Sequence, residues 1–252
     1  MRKHVYQYIQ GKAFNFIQLK SKLSTGTPIE IKNRMEWIIY NDIFVEGDYD
    51  LSIQNVLNAP DSDINILDLG ANVGFFDLRV AHLASLNQSK KRITITAIEG
   101  SKNLCEELTK RLAPLNVNAN MKIDIVHGLV GSRSGAGLLY QFKDHGLNST
   151  LRISGKPVEI SYIDLTEACR QFKEIHLLKC DIEGSELSFI KNYPDLLRKT
   201  RAIVIEFHPE FCDVDQCIQT LKEHDFIESE TKKDYGNCFI QYFRREEHHH
   251  NL

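Results

Sequence analysis

ILDLGANVGFF, residues 66–76, followed by ITITAIEG at 93–100, decides the fold of this chain. An apolar run ends in Asp68, two glycines follow at Gly70 and Gly74, and the next apolar run ends in Glu99. The order is strand, glycine turn, helix, strand, acid, the start of a nucleoside-binding α/β unit. Glycines at such a turn let the backbone come close to a ligand at the N-terminus of the following helix. An acid ending the second strand suits the two hydroxyls of a ribose.

From residue 64 onward, strand and helix patterns alternate, which predicts a parallel sheet covered on both faces. The predicted strands are 64–69, 93–98, 123–127, 175–180 and 202–207. NCFIQYF at 237–243 is expected as a final antiparallel strand reached by a hairpin. Leu104, Leu108 and Leu112 mark one covering helix, and Val214, Cys217, Ile218 and Leu221 another with Asp213 as N-cap. Residues 131–165 break the alternation with LLYQF, STLRI and VEISYIDL between turn-like clusters, so a small antiparallel insertion over the carboxyl ends of the strands is expected.

Upstream, Val5, Tyr6, Ile9, Phe16, Leu19 and Leu23 have loosely helical spacing, and Tyr49, Ile53, Val56 and Leu57 predict a helix ending near Pro60. The expected layout is a helical extension at 1–60, a main domain at 61–245 and a polar tail at 246–252, whose three adjacent histidines are read as solvated.

The 252 residues carry a net charge of −3, with 42% hydrophobic and 26% charged residues. That balance disfavours a nonspecific nucleic-acid binder. The six cysteines form no C-x-x-C pair and are expected to be reduced, and no apolar run approaches a membrane span, so a cytoplasmic protein is expected.

The spacing D-x-G-x-x-x-G, in place of G-x-G-x-x-G, points to S-adenosylmethionine rather than a dinucleotide. A second segment, LLKCDIEGSEL at 177–187, would carry the chemistry. Lys179 inside a buried parallel strand needs a carboxylate partner. Asp181 and Glu183 follow where the strand runs out, and Glu186 starts the next helix. The neighbouring strand ends IEFHPE, placing Glu206 and His208 beside them. These groups suit proton transfer: His208 or Asp181 would accept a hydroxyl proton, while Lys179 and Glu206 would form an ion pair ordering the strand ends. The same acids could bind magnesium or another hard divalent ion, an option not favoured here, and no residue is assigned as a metal ligand.

ILDLGANVGFF, ITAIEG, LLKCDIEGSEL and IVIEFHPE, in this order and at these separations, resemble the FkbM-type S-adenosylmethionine-dependent methyltransferases over about residues 64–243. WIIYNDIFVEGDYD at 37–50 is similar to the lead-in of many members. The resemblance implies a Rossmann-like class I methyltransferase fold with a seven-stranded sheet, last strand antiparallel. It also implies methyl transfer to a hydroxyl of a sugar or other small metabolite. Asp68, Gly70, Asn72 and Gly74 would then hold the methionine end of the donor, with Phe75 beside it, Glu99 on the ribose, and Gly128 and Leu129 near the adenine. Glu99-Gly100 departs from the commoner Glu-Pro, and the loop 86–91 is extended. HGLNSTL at 145–151 would lie near the acceptor. The competing assignments are a nicotinamide oxidoreductase, a nucleic-acid base methyltransferase, disfavoured by DIEG in place of an N/D-P-P-Y/F-like segment, and a donor-binding partner module without turnover.

Overall fold

Strand β3 (Asp63–Leu69) is the pivot of the molecule, buried on both faces along most of its length in the computed structural model. The structure describes residues 19–117, 119–141, 156–234 and 236–245. β3 pairs in parallel with β4 (Arg92–Glu99) on one side and with β8 (Leu177–Cys180) on the other. β5 (Met121–His127) extends the β4 edge, and β9 (Ala202–Phe207) extends the β8 edge, both in parallel. A hairpin of β10 (Phe226–Asp234) and β11 (Phe239–Arg245) completes the sheet, with β11 inserted antiparallel between β9 and β10. The order is β10-β11-β9-β8-β3-β4-β5, seven strands with β11 the reversed one. The order of the strands reverses direction beside β3, which opens a crevice at their carboxyl ends.

Successive side chains of a strand face opposite sides, so the sheet separates two hydrophobic layers. Ile64, Ile66, Ile95, Leu177 and Val204 face α3 (Phe75–Leu86), α4 (Lys102–Leu112) and the N-terminal cap. Leu67, Leu69, Leu178, Ile203 and Ile205 face α6 (Glu186–Asn192), α7 (Pro194–Arg198) and α8 (Val214–Glu223). The carboxylate of Asp213 accepts from the Gln216 amide and caps α8 as its sequence predicts.

The cap comprises a hairpin of β1 (Leu19–Lys22) and β2 (Pro28–Ile31), α1 (Arg34–Tyr40), a π-helical segment Asn41–Glu46, and α2 (Asp50–Asn58). Leu19 lies on a strand and Leu23 in the turn that follows it, not on the helix their spacing suggested; the other positions of that pattern, within residues 1–18, lie outside the described residues. The cap sits on α3, which is apolar nearly all round because it is covered from both sides. Arg79 of α3 holds Asp50 of α2 through two parallel hydrogen bonds, and Arg111 of α4 reaches the buried Glu36 at 2.8 Å.

β6 (Ala136–Gln141) and β7 (Lys156–Ser161) pair antiparallel as the insertion. Residues 142–155, which include HGLNSTL and all of STLRI, lie outside the described residues, as does the tail at 246–252. A short helix α5 (Leu165–Ala168) leads back toward β8. The β8 strand is shorter than predicted: Ile175 makes an isolated bridge to Thr200 before the strand begins. No helix among the described residues is long and apolar enough to cross a membrane.

Candidate active site

The turn after β3 is shaped by what cannot fit in it. Gly70 has φ +79°, and a Cβ there would stand 1.8 Å from the backbone carbonyl oxygen of Asp181. Gly74, at φ +82°, would drive a Cβ to 2.5 Å from Leu108. Gly70 therefore lets two strand ends touch, whereas Gly74 serves helix packing and lines neither cavity described below. The amides of Gly70 and Ala71 both donate to the Ile98 carbonyl, at 3.0 and 2.9 Å. They are thus spent on the neighbouring strand instead of being offered to a ligand, and the turn contributes shape more than donors.

Glu99 ends β4 with both oxygens engaged: Oε2 accepts from the Asn72 amide at 2.9 Å and Oε1 from the Ser101 amide at 2.7 Å. Each oxygen keeps a second lone pair for a hydroxyl. Burial pushes its carboxyl above the ordinary range, against the pull of the two amides. Asn72 adopts φ +51°, an uncommon conformation for a side-chain-bearing residue, and both Asn72 and Glu99 line a cleft with about 620 Å³ of empty space. Gly100, Leu104, Gly128, Leu129 and Leu139 complete its apolar end, Leu129 from the stretch before the insertion and Leu139 from its strand β6.

Lys179 is fixed by strand register. Asp68 and Lys179 are direct partners in the parallel β3–β8 ladder, so their side chains leave the same face side by side. The ammonium lies 3.1 Å from Asp68 Oδ1 and 3.8 Å from Asp181 Oδ2, and donates to the Gly70 carbonyl at 2.7 Å. Burial opposes its charge, but Asp68 and Asp181 outweigh that and raise its pKa. The expected Lys179–Glu206 pair is therefore corrected: β3 supplies the counterion because it is the adjacent strand in register. The role expected of Asp68 changes with it. Its carboxylate is fully buried behind Lys179 and lines neither cavity, so it can act on a ligand only through the ammonium that clamps the glycine turn.

Beyond β8 the chain turns sharply, with Glu183 at φ +53° and Gly184 at φ +104°. A non-glycine residue in the left-handed region is strained, and such strain gathers at functional sites. Glu186 Oε1 accepts from the Gly184 amide at 2.9 Å and from His208 Nδ1 at 3.2 Å. His208 Nε2 faces Glu183 Oε2 at 3.6 Å and Glu206 Oε1 at 3.8 Å. Burial disfavours an imidazolium, yet the Glu186 hydrogen bond and the charges of Asp181 and Glu183 push His208 up to about 10. A ring already protonated cannot take a proton, so His208 is withdrawn as the base. Glu206 is pushed up to about 7, by burial first and then by Asp181.

Asp181, Glu183, Lys179 and Glu206 also line a second chamber, with about 970 Å³ of empty space. Its other walls come from residues to which, Phe75 apart, the sequence assigned no site role. Ile38, Ile39, Asp42, Ile43, Asp48 and Tyr49 descend from the cap, Phe75 and Phe76 from α3, and Asn237, Cys238 and Ile240 from the β10–β11 hairpin. The π-helical segment supplies Asp42 and Ile43, a local geometry common near functional sites. The cleft and the chamber share Gly70, Asn72, Asp181 and Glu183. Two cavities thus meet at the junction of the two sequence motifs.

Asp77, in the first turn of α3, was not marked by any motif, and it is completely buried. Burial, with repulsion from Asp68, raises its carboxyl well above the ordinary value, which favours the neutral acid. A folded pKa above the unfolded one gives stability that is full below about pH 3.9 and falls as pH rises toward the folded value. Asp77→Asn removes that decline. Urea denaturation at pH 5 and 8 is expected to show a gain in stability over the native protein, larger at pH 8; a loss at both pH values would contradict a raised Asp77 pKa.

The reversed strand, the glycine turn and the acid-ended β4 are the features of a Rossmann-like methyltransferase fold. Residues 68–228 match the family described as Methyltransferase FkbM domain, and the chain belongs to that family. No curated protein sequence gives a significant match. Among solved structures, the human methyltransferase 10 domain containing protein is similar over 96% of this chain and 95% of its own, with TM-score 0.51 and 11% identity. A Streptococcus agalactiae protein of the NADB-Rossmann superfamily aligns over 80% of this chain and 69% of its own, with TM-score 0.46 and 13% identity. M. capricolum TrmK, solved with S-adenosyl-homocysteine, aligns over 77% and 67%, with TM-score 0.42 and 8% identity. At these identities the likeness is one of fold.

Proposed function

We propose that this protein transfers a methyl group from S-adenosylmethionine to a hydroxyl of a small molecule, a sugar or similar metabolite. The observation that carries this reading is the pair of cavities meeting at Gly70, Asn72, Asp181 and Glu183. The residues of the cleft fit the donor: a buried acid for the ribose at Glu99, apolar walls at Leu104, Leu129 and Leu139 for the adenine, and Glu183 where a cationic methionine end would lie. When bound, the donor supplies a methyl already activated on a sulfonium.

The protein then has to align an oxygen and receive one proton. Lys179 holds the glycine turn and Asp181 in fixed relation. Asp181, on the wall common to both cavities, takes the hydroxyl proton on a side-chain oxygen. Glu99 orients the ribose. The cap residues Ile38, Ile39 and Tyr49 roof the chamber and exclude water. The chamber's lining, with apolar Phe76 and Ile240 beside polar Asn72 and Asn237, suits a small polyfunctional acceptor. Six free cysteines, five of them buried, favour a reducing compartment such as the cytoplasm.

Asp181→Asn is expected to bind S-adenosylhomocysteine within a few-fold of the native protein, yet to lose about a hundredfold or more in labelled-methyl transfer into a small-molecule extract of the source organism. Equal turnover would remove Asp181 as proton acceptor; label appearing only on nucleic acid would remove the small-molecule reading.

A further inference from the structure

The end of β9 gathers a donor set that the methyl-transfer chemistry leaves unused. Glu206 sits on β9 opposite Ile240 of β11, so the hairpin turn carries Cys238 alongside it, and His208 follows two residues on. One ligand atom from each of Glu206, His208 and Cys238 lies within 4.8 Å of the others, and His208 forms a similar group with Asp181 and Glu183. His208 is only 5% exposed. Its Nδ1 is held by Glu186, whose carboxylate is itself fixed by the Gly184 amide. Its Nε2 aims between Glu183 and Glu206 at 3.6 and 3.8 Å, beyond hydrogen-bond length, and accepts or donates no hydrogen bond among the described residues.

The 3.8 Å between His208 Nε2 and Glu206 is close to the spacing of two ligands on one ion. Ligands about 2.0–2.3 Å from a tetrahedral ion stand roughly 3.3–3.7 Å from one another. A histidine that binds through Nε2 almost always has Nδ1 held by a carboxylate or carbonyl, the part Glu186 plays. Asp61, Glu174 and His176 form a third such group and show the contrast. There Nδ1 of His176 accepts from the Asn65 amide, which leaves the proton on the outward Nε2, and Arg201 occupies both acids. That group is held by Arg201; at His208 the Glu183 and Glu206 carboxylates stand beside Nε2 beyond hydrogen-bond length, and the Cys238 thiol, which donates to Glu206, would release its proton to let an ion bind.

We propose that Glu206, His208 and Cys238 bind one zinc-class divalent ion in the wall of the second chamber, with its remaining position directed at the acceptor. One thiolate, one carboxylate and one neutral imidazole balance the two positive charges of the ion. The sulfur and nitrogen donors select zinc over the magnesium that carboxylates alone would suggest. The thiol proton of Cys238, and any proton on His208 Nε2, pass to the buffer on binding. That the open position takes the acceptor oxygen rests on the methyltransferase reading; the ion site itself does not.

The test uses the full chain with His248, His249 and His250 changed to alanine, so that the tail binds no metal. After chelator treatment and dialysis, zinc chloride is titrated by calorimetry, with elemental analysis of the product. One equivalent is expected, with affinity about 100-fold lower or more in His208→Ala and Cys238→Ser, and about 10- to 100-fold lower in Glu186→Gln. S-adenosylhomocysteine titration of Cys238→Ser, unchanged, shows that fold and cleft are intact. No zinc uptake by the parent, or equal uptake by Cys238→Ser and His208→Ala, overturns the site. Zinc uptake without donor binding would instead sink the methyltransferase reading and leave the ion site standing.

Discussion

Replacing Gly70 by alanine is expected to abolish donor binding and to destabilise the fold. The added methyl would lie 1.8 Å from the Asp181 carbonyl oxygen, an overlap that neither partner can relieve by rotating a side chain because the obstacle is backbone. The residue also has φ +79°, which costs an L-residue about 1–2 kcal/mol before any collision. Separating the two strand ends would break the Lys179 hydrogen bond to the Gly70 carbonyl and open the wall common to cleft and chamber. A loss of at least about 2–4 kcal/mol in urea denaturation is expected. S-adenosylhomocysteine affinity should fall beyond detection at temperatures where the variant remains folded. Gly74→Ala is the control: its obstacle is the tip of Leu108, a movable side chain, so it should cost stability while retaining measurable donor binding. Equal donor affinity in Gly70→Ala and native protein would show that the close approach has no part in binding.

Lys179→Met is expected to lose about 3–5 kcal/mol, because it leaves Asp68 buried without its counterion. For a domain of this size that lowers the melting temperature by roughly 10 °C. Adding Asp68→Asn should return part of the loss, since the doubly neutral variant no longer buries a charge; the recovered fraction is read directly from a double-mutant cycle. If the double variant is no more stable than Lys179→Met, the ammonium is needed for its hold on Gly70 rather than for Asp68. Donor affinity separates these cases, because the clamp on the turn is missing from both variants.

Much of the site was legible because its chemistry is local. The acids at Glu99, Asp181 and Glu183 sit where apolar runs stop, and a run that stops marks a strand end at the ligand edge of an α/β sheet. Gly70 was legible for the same reason, as the turn between strand and helix. The partner of Lys179 was not, since it depends on which strand lies alongside and in what register. His208 was placed correctly beside its acids, but its charge follows from three carboxylates brought from two different strand and helix ends. The chamber roof was invisible because residues 35–49 lie on a cap whose motif spacing carries no chemistry, and Cys238 because only the hairpin brings it to Glu206.

Periodicity, glycine spacing and the position of acids at strand ends were enough to specify a parallel sheet with a reversed final strand and a nucleoside grip, since each of these is written in neighbouring residues. Pairing of charges, protonation and the shape of the second chamber arose only on folding. Coulomb energies and burial depend on distances through space, and those distances are set when β3, β8, β9 and the cap close around one crevice.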